Sequence, residues 1–347
     1  MPTPILIARV DSPGHYDPTH AESPERFSHF DRLTATLAGS FKLVTHPPAT
    51  IEEVSRVHTP AMLSFLQQAC QKAGRSPSLI DPAPTFVVAD SWQAALQAAG
   101  AVLELVREVL AGSAQVAFAL VRPPGHHAEP GESRGFCLIN NLAVGVAEAL
   151  AQGVERVAVV DFDAHHGNGT QAIFLNEPRV GFFSSHQERI YPGSGFLEEA
   201  PHARGRIINL PLPAGAGDLA FEQMVDQVIE PWLAQLRPQM VFVSAGFDAH
   251  WTDPLTSLGV STEGYYRLAR RLAMLVERHS QGRMVWVLEG GYDPAALADN
   301  VDAVLQALAG LAGLAHSRGP SPYPAPDIRS RLERLKTYHG LDRAADQ

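Results

Sequence analysis

With 347 residues and 27 Lys and Arg against 37 Asp and Glu, the chain carries a formal net charge of −10 and has ample material for a core. No basic run appears, so the charge pattern argues against duplex nucleic acid as a partner. Two distant cysteines, Cys70 and Cys137, point to neither a disulfide scaffold nor a thiolate zinc site. The N-terminus shows no secretory signal and no stretch approaches the roughly 20 apolar residues of a membrane span, so a cytoplasmic protein without a membrane partner is expected.

Ile5 to Val10 reads as a first strand, running into a loop from Asp11 too rich in Pro and turn formers for regular structure, which opens a helix near Pro24. Phe41 to Thr45 is a short strand. Thr50 to Ala73 has apolar residues at helical spacing with Thr59-Pro60 as a start, and Ala89 to Leu110 is an alanine-rich helix opened by Asp90 or Ser91, its Trp92 expected to pack. Gln115 to Val121 is a strand that delivers His126 and His127, and Asn140 to Gln152 is a helix. The β-branched run from Val157 is a buried strand that delivers Asp161, Asp163 and His165.

Strands follow at Val180 to Ser185 and Arg206 to Leu212, with the turn Tyr191-Pro-Gly-Ser-Gly between them. Phe221 to Leu236 is helical, Gln239 to Ala245 is a strand delivering Asp248, and Thr262 to Glu277 is a helix. Met284 to Leu288 is a strand delivering Glu289 and Tyr292, and Pro294 to Leu314 is a last long helix. Such alternation means an α/β fold with a parallel sheet covered on both faces, and no linker or repeat breaks it. Residues 1–347 therefore read as one domain, in which 317–347 form an extended Pro-rich tail and a short charged helix.

The ends of these strands carry the chemistry. In an open α/β sheet ligands sit at the carboxyl ends of strands. Asp163 and His165 lie two apart, so on extended backbone they leave on one face together with Asp161. With Asp248 they form a donor set of one His and two carboxylates, which leaves a tetrahedral zinc an open position. His126 and His127 supply proton transfer, and Tyr292, between flexible glycines and Asp293, supplies a donor for a developing oxyanion. Read singly, most of these residues have plainer roles: Asp161 would cap a turn, and Glu289 is either a supporting acid or a strand-end acceptor. His166, His20, His29, His46, His58, His202 and His279 read as structural.

Taken together, Arg122-Pro-Pro-Gly-His-His-Ala, Gly135-Phe-Cys-Leu-Ile-Asn-Asn, Asp161-Phe-Asp-Ala-His-His-Gly-Asn-Gly-Thr-Gln, Ser244-Ala-Gly-Phe-Asp-Ala and Leu288-Glu-Gly-Gly-Tyr resemble the zinc-dependent histone deacetylase family, with its histone deacetylase-like and acetylpolyamine amidohydrolase relatives. The resemblance implies the arginase/deacetylase fold around an eight-stranded sheet, catalytic Zn2+ on Asp163, His165 and Asp248, and hydrolysis of an acyl-amide. It places the paired histidines at His126 and His127 and the transition-state tyrosine at Tyr292. Asp161 backs His126, and the second histidine's partner falls on Asn168, as in the class II branch. A neutral amide orients a histidine without holding its positive charge, so the two histidines are expected to share the proton work, in an order left open. The family's structural K+ maps onto Asp161, Asp163, His165, Ser184 and Ser185.

The resemblance also implies a substrate channel between Phe136, preceded by Gly135, and Tyr191, where a phenyl ring is commoner. Seven residues past Asp248, where polyamine-selective relatives carry a glutamate, stands Leu255, although Glu22 or Glu25 in the first loop could read a distant ammonium instead. Acyl-lysine in a protein or peptide is thus the leading substrate, with small acylated amines as the alternative. An arginase-like ureohydrolase and a non-catalytic binder of acyl ligands are more distant readings. The sequence leaves the oligomeric state open, a homo-oligomer included.

Overall fold

Strands buried along nearly their whole length make the centre of the molecule. In the computed structural model, which describes residues 4–33, 39–312 and 318–342, ten strands form. They are β1 (Ile5–Val10), β2 (Phe41–Leu43), β3 (Ser78–Leu79), β4 (Phe86–Val87), β5 (Val116–Val121), β6 (Val157–Asp161), β7 (Val180–Gln187), β8 (Ile207–Leu212), β9 (Met240–Ala245) and β10 (Met284–Leu288). Eight build one sheet in the order β2-β1-β5-β10-β9-β6-β7-β8, and β3 pairs only with β4. Every pairing in the large sheet is parallel.

Successive residues of a strand face opposite layers. In β5, Ala117 and Ala119 pack into the layer that holds the helices Pro60–Ala73, Ser91–Leu110 and Asn141–Ala151, while Phe118 and Leu120 pack into the other. That second layer holds Thr262–Ser280, Pro294–Leu308, Arg329–His339 and the helical run from Asp218. Both faces are covered, which is why the strands read as continuous apolar runs. No helix among the described residues is long and apolar enough to cross a membrane.

Local chemistry sets most helix starts. Thr59 accepts from the Met62 N–H with Pro60 at the first position, Asn140 accepts from Ala143, Ser261 from Gly264, and Asp293 from Ala295 and Ala296. The expected helix from Thr50 is broken for this reason. Thr50 and Glu53 form a reciprocal cap on a single turn, Ile51–Val54, and extended backbone at Thr59, enforced by Pro60, restarts the helix. Neither expected cap serves the helix Ser91–Leu110: Asp90 makes no side-chain cap bond, and Ser91 Oγ accepts from the Val88 N–H and meets His15 Nδ1.

Five further features depart from expectation. Pro24–Phe27 is a single 3-10 turn rather than a helix, because Arg26 and Phe27 are drawn into the interior. The run expected at Phe221 begins at Asp218 and widens into a π turn over Val225–Ile229, just before Pro231, which has no N–H to continue an α ladder. The last long helix stops at Leu308, and its expected end at Leu314 lies outside the described residues. The β3–β4 hairpin and the short helix Asn168–Phe174 were not foreseen.

The polar first loop is held by a buried charge cluster. Arg122, at the end of β5, donates to both Glu22 oxygens at 2.6 and 2.9 Å and to the carbonyls of Asp11, Ser12 and His15. Arg26 reaches Glu22 at 3.3 Å and His15 Nε2 lies 3.4 Å from it, all of these side chains being buried. Glu22 is thus consumed inside the protein and is not available to read a substrate ammonium. Burial alone would raise its pKa, but Arg122 and His15 hold it well below the usual carboxylate value.

Glu22→Gln should therefore strand two buried guanidinium groups and destabilise the protein by about 3–5 kcal/mol. A carboxylate depressed in the folded state stabilises it above its unfolded pKa, so the gap between wild type and variant should be full above about pH 5 and close as the solution turns strongly acidic. Urea titrations across that range measure it.

Candidate active site

The four strands that deliver polar residues are scattered in the sequence but contiguous in the sheet, in the order β5-β10-β9-β6. Their carboxyl ends carry His126 and His127, Glu289 to Tyr292, Asp248, and Asp161 to His165 respectively. The chain reverses its direction of growth across the sheet here, the position where open α/β sheets bind ligands.

β6 ends at Asp161, so Asp163 and His165 sit on the turn beyond it rather than on extended backbone. The turn keeps their donors together nonetheless. Ligand atoms of Asp163, His165 and Asp248 all lie within 4.8 Å of one another. His165 Nδ1 is 2.8 Å from Asp248 Oδ2 and 3.2 Å from Asp163 Oδ1. Backbone amides aim the carboxylates: Gly290 donates to Asp163 Oδ2, His165 to Asp163 Oδ1 and Ala164 to Asp248 Oδ1. A Cβ at position 290 would lie 2.6 Å from Asp248 Oδ2 and 2.7 Å from Asp163 Oδ2, so only glycine lets the carboxylates stand there.

This donor set fits a divalent cation. Burial and the neighbouring charge of Asp163 push the Asp248 carboxyl up, the signature of two acids that need positive charge between them. Burial would lower His165, yet Asp163 and Asp248 raise it to about 10, so the same point demands a cation from the imidazole too. The His165 side chain is 14% exposed while both acids are sealed, which leaves one side of the cluster open to the cavity.

Above the cluster stand two histidines with different supports. His126 Nδ1 lies 3.1 Å from Asp161 Oδ2, and His127 Nδ1 lies 2.7 Å from Asn168 Oδ1. Burial opposes charge on both. For His126 the carboxylates of Asp163 and Asp161 win and raise it to about 10, whereas burial and the neighbouring His126 and His165 hold His127 well below the usual histidine value. Glu289 proves to be an acceptor from backbone: it takes the N–H groups of Gly125 at 2.6 Å and His126 at 3.1 Å, and burial raises it to about 7.

Tyr292 lines the same cavity as His126, His127, His165 and Gly290. Its backbone N–H donates to Asp253 Oδ2 and the Arg26 guanidinium lies 4.9 Å from its ring centroid. Burial pushes its phenol well above the usual value, so it keeps its proton.

The cavity, of about 270 Å³, opens between Phe136 and Tyr191, with Ala83, Pro84, Ile190 and Leu255 around them. Gly135 is required: its φ is +58°, and a Cβ there would sit 2.6 Å from the His127 ring and 2.7 Å from that of Tyr191. The Tyr191 hydroxyl accepts from Arg134 Nε at 3.2 Å. The unforeseen loop between β3 and β4 forms part of the rim, with Asp81 accepting from the Gly135 N–H and Thr85 from that of Phe136. Of the remaining expected residues, Ser184 Oγ contacts His186 Nδ1 at 2.9 Å, and Ser185 Oγ is buried without a hydrogen-bond partner. His166 contacts Ser194 and Gln171, as befits a structural residue. Glu129, which bonds Asn168, has no signal of its own in the sequence beyond lying next to the motif His126-His127-Ala128.

The chain matches the histone deacetylase domain over residues 20–308. It is 41% identical to a probable deacetylase of Archaeoglobus fulgidus over 88% of this chain and 86% of that one. It is 37% identical to a histone deacetylase-like amidohydrolase of Pseudomonas aeruginosa, covering 93% and 87%, and 35% identical to the chloroplastic histone deacetylase 14 of Arabidopsis thaliana, covering 94% and 83%. The crystal structure of the HDA15 HD domain superposes with a TM-score of 0.81 at 31% identity, covering 88% of this chain and 91% of that one.

Removing the Glu289 carboxylate should loosen the histidine loop from below. Glu289→Ala leaves two buried amides unsatisfied and should cost about 2–4 kcal/mol, while Glu289→Gln, which keeps one acceptor oxygen, should cost less. Chemical denaturation of both variants gives the comparison.

Proposed function

Since the chain belongs to the histone deacetylase family, and so to its deacetylase and amidohydrolase hydrolases, we propose that it is a zinc-dependent deacylase that hydrolyses the amide of N-acylated lysine in proteins or peptides. The observation that carries this reading is the convergence of His126, His127 and Tyr292 on one cavity directly over the Asp163, His165 and Asp248 donors. Those three residues would hold zinc. When bound, the metal supplies Lewis acidity toward the acyl carbonyl and lowers the pKa of water.

The chain's own groups do the rest. Asn168 Oδ1 can only accept, so His127 Nδ1 carries hydrogen and its Nε2 offers a lone pair to the cavity, fit to take a proton from the attacking water. His126, beside the Asp161 carboxylate, is stabilised as the imidazolium and returns a proton to the departing amine. The protonated Tyr292 phenol donates to the carbonyl oxygen as it gains charge. Phe136 and Tyr191 pack along the methylene stem of the substrate, and the bond that the Tyr191 hydroxyl accepts from Arg134 holds that ring in the channel wall. A structural potassium beside the site would lie among Asp161, Asp163, His165, Ser184 and Ser185, and the partnerless Ser185 hydroxyl is consistent with it. A cytoplasmic setting is supported by two buried, free thiols at Cys70 and Cys137.

Acyl-lysine is favoured over acylated polyamine because Ala83, Pro84, Ile190 and Leu255 make the mouth apolar, and Glu22 is locked to Arg122. Zinc-loaded protein assayed on acetyl-lysine peptides, longer acyl-lysines and acetylpolyamines should give kcat/KM at least about tenfold higher on an acyl-lysine, since no carboxylate is among the described residues that line the cavity to receive a second ammonium. Turnover of none of them would overturn the deacylase reading. Tyr292→Phe should lower kcat by about 10²- to 10³-fold and still bind a hydroxamate.

Elemental analysis should find one catalytic divalent metal per chain, and chelation should abolish turnover. Asp248→Ala should lose the metal. Two catalytic metals per chain would favour a ureohydrolase instead.

A further inference from the structure

The amide of Asn168 is committed on both sides. Its oxygen faces His127 Nδ1 at 2.7 Å and its nitrogen donates to Glu129 Oε1 at 2.7 Å. An amide can present either end to a histidine, and its oxygen and nitrogen are close to isosteric. A carboxylate accepts only, so Glu129 allows one orientation: nitrogen outward, oxygen toward His127. That in turn leaves His127 one neutral tautomer, with hydrogen on Nδ1 and the lone pair on Nε2 toward the cavity.

We propose that Glu129 is a positioning residue for His127, which fixes the Asn168 amide and supplies, one residue further out, the negative charge that a directly bonded aspartate would have placed on the histidine. The inference rests on the deacylase reading for its kinetic consequence, but its structural content does not depend on that reading. The same Glu129 oxygen also accepts from Arg134 Nη1 at 3.0 Å, and Arg134 donates to the Tyr191 hydroxyl at 3.2 Å. One carboxylate thus ties the histidine's support to the wall of the channel. Glu129 is held in turn by its own backbone, whose carbonyl meets His58 Nδ1 at 2.9 Å and whose N–H donates to the Glu132 carbonyl at 2.9 Å.

The alternative is that Glu129 merely anchors its loop through Arg134, and three variants separate the two. Glu129→Ala should lower kcat about tenfold with KM within about twofold, and should remove or shift the His127 Nδ1–H resonance in ¹H–¹⁵N spectra of histidine-labelled, zinc-loaded protein, that signal being assigned by its loss in His127→Gln. Glu129→Gln keeps an acceptor for the Asn168 nitrogen, so it should retain the resonance and lose about threefold in kcat, the part due to charge. Arg134→Met removes the ion pairs to Glu129 and Glu132 and the bond to the Tyr191 hydroxyl but leaves the Asn168–Glu129 bond in place, so it should also retain the resonance.

Unchanged kcat and an unmoved resonance in Glu129→Ala would overturn the proposal, and so would loss of the resonance in Arg134→Met to the same extent. Wild-type protein that turns over no acyl-amide would count against the deacylase reading, and the resonance would still decide the role of Glu129.

Discussion

Asp163 and Asp248, two acids sealed from solvent around one imidazole, are the constraint on which the site is built. Buried carboxylates at this separation repel strongly and are tolerated only where positive charge and hydrogen-bond donors compensate them. The donors come from two strand ends and the acids from two: the amides of Ala164 and His165 after β6, and that of Gly290 after β10, act on acids that follow β6 and β9. Each acid is thereby aimed by backbone it does not belong to, at least in part. The strand ends are locked to one another, and a cation completes what the amides begin.

Buried charges behind these acids keep the arrangement in place. Arg26 donates to the carbonyls of Glu289 and Gly291 while sharing Glu22 with Arg122 at the end of β5. Tyr292 is therefore gripped through its neighbours by the first loop on one side and through its own N–H by Asp253 on the other. Since Glu289 also holds the amides of Gly125 and His126, the histidine loop and the tyrosine loop share one support. The long polar loop after β1 thus braces the floor of the cavity from outside.

The sheet was legible because a parallel strand covered on both faces must be apolar throughout, as Val157 to Val160 and Met284 to Leu288 are. That Asp163, His165 and Asp248 would gather, with His126, His127 and Tyr292 beside them, was legible because all six follow the carboxyl ends of such runs. What was not legible depends on pairing in three dimensions. Glu22 and Arg122 are 100 residues apart and find each other only through the fold. Glu129 and Asp81 lie in loops of no regular pattern, and their importance comes entirely from Asn168 and Gly135 lying across from them. The π turn over Val225–Ile229 and the 3-10 turn at Pro24–Phe27 are small backbone adjustments to Pro231 and to the burial of Arg26, beneath what periodicity resolves.

The two histidines show how charge can be graded by a single intervening group. His126 touches the carboxylate of Asp161 directly, whereas the carboxylate of Glu129 reaches His127 only across the Asn168 amide. Coulomb energy falls inversely with distance, so at roughly twice the separation the same charge retains about half its effect, before screening by solvent, which the half-exposed Glu129 meets and the sealed Asp161 does not. His126 is then stabilised as a cation and His127 is oriented without being trapped in that form. On the deacylase reading, a pair of adjacent imidazoles needs this inequality, because two equal bases 4.0 Å apart between ring centroids would compete for one proton instead of dividing its uptake and its release.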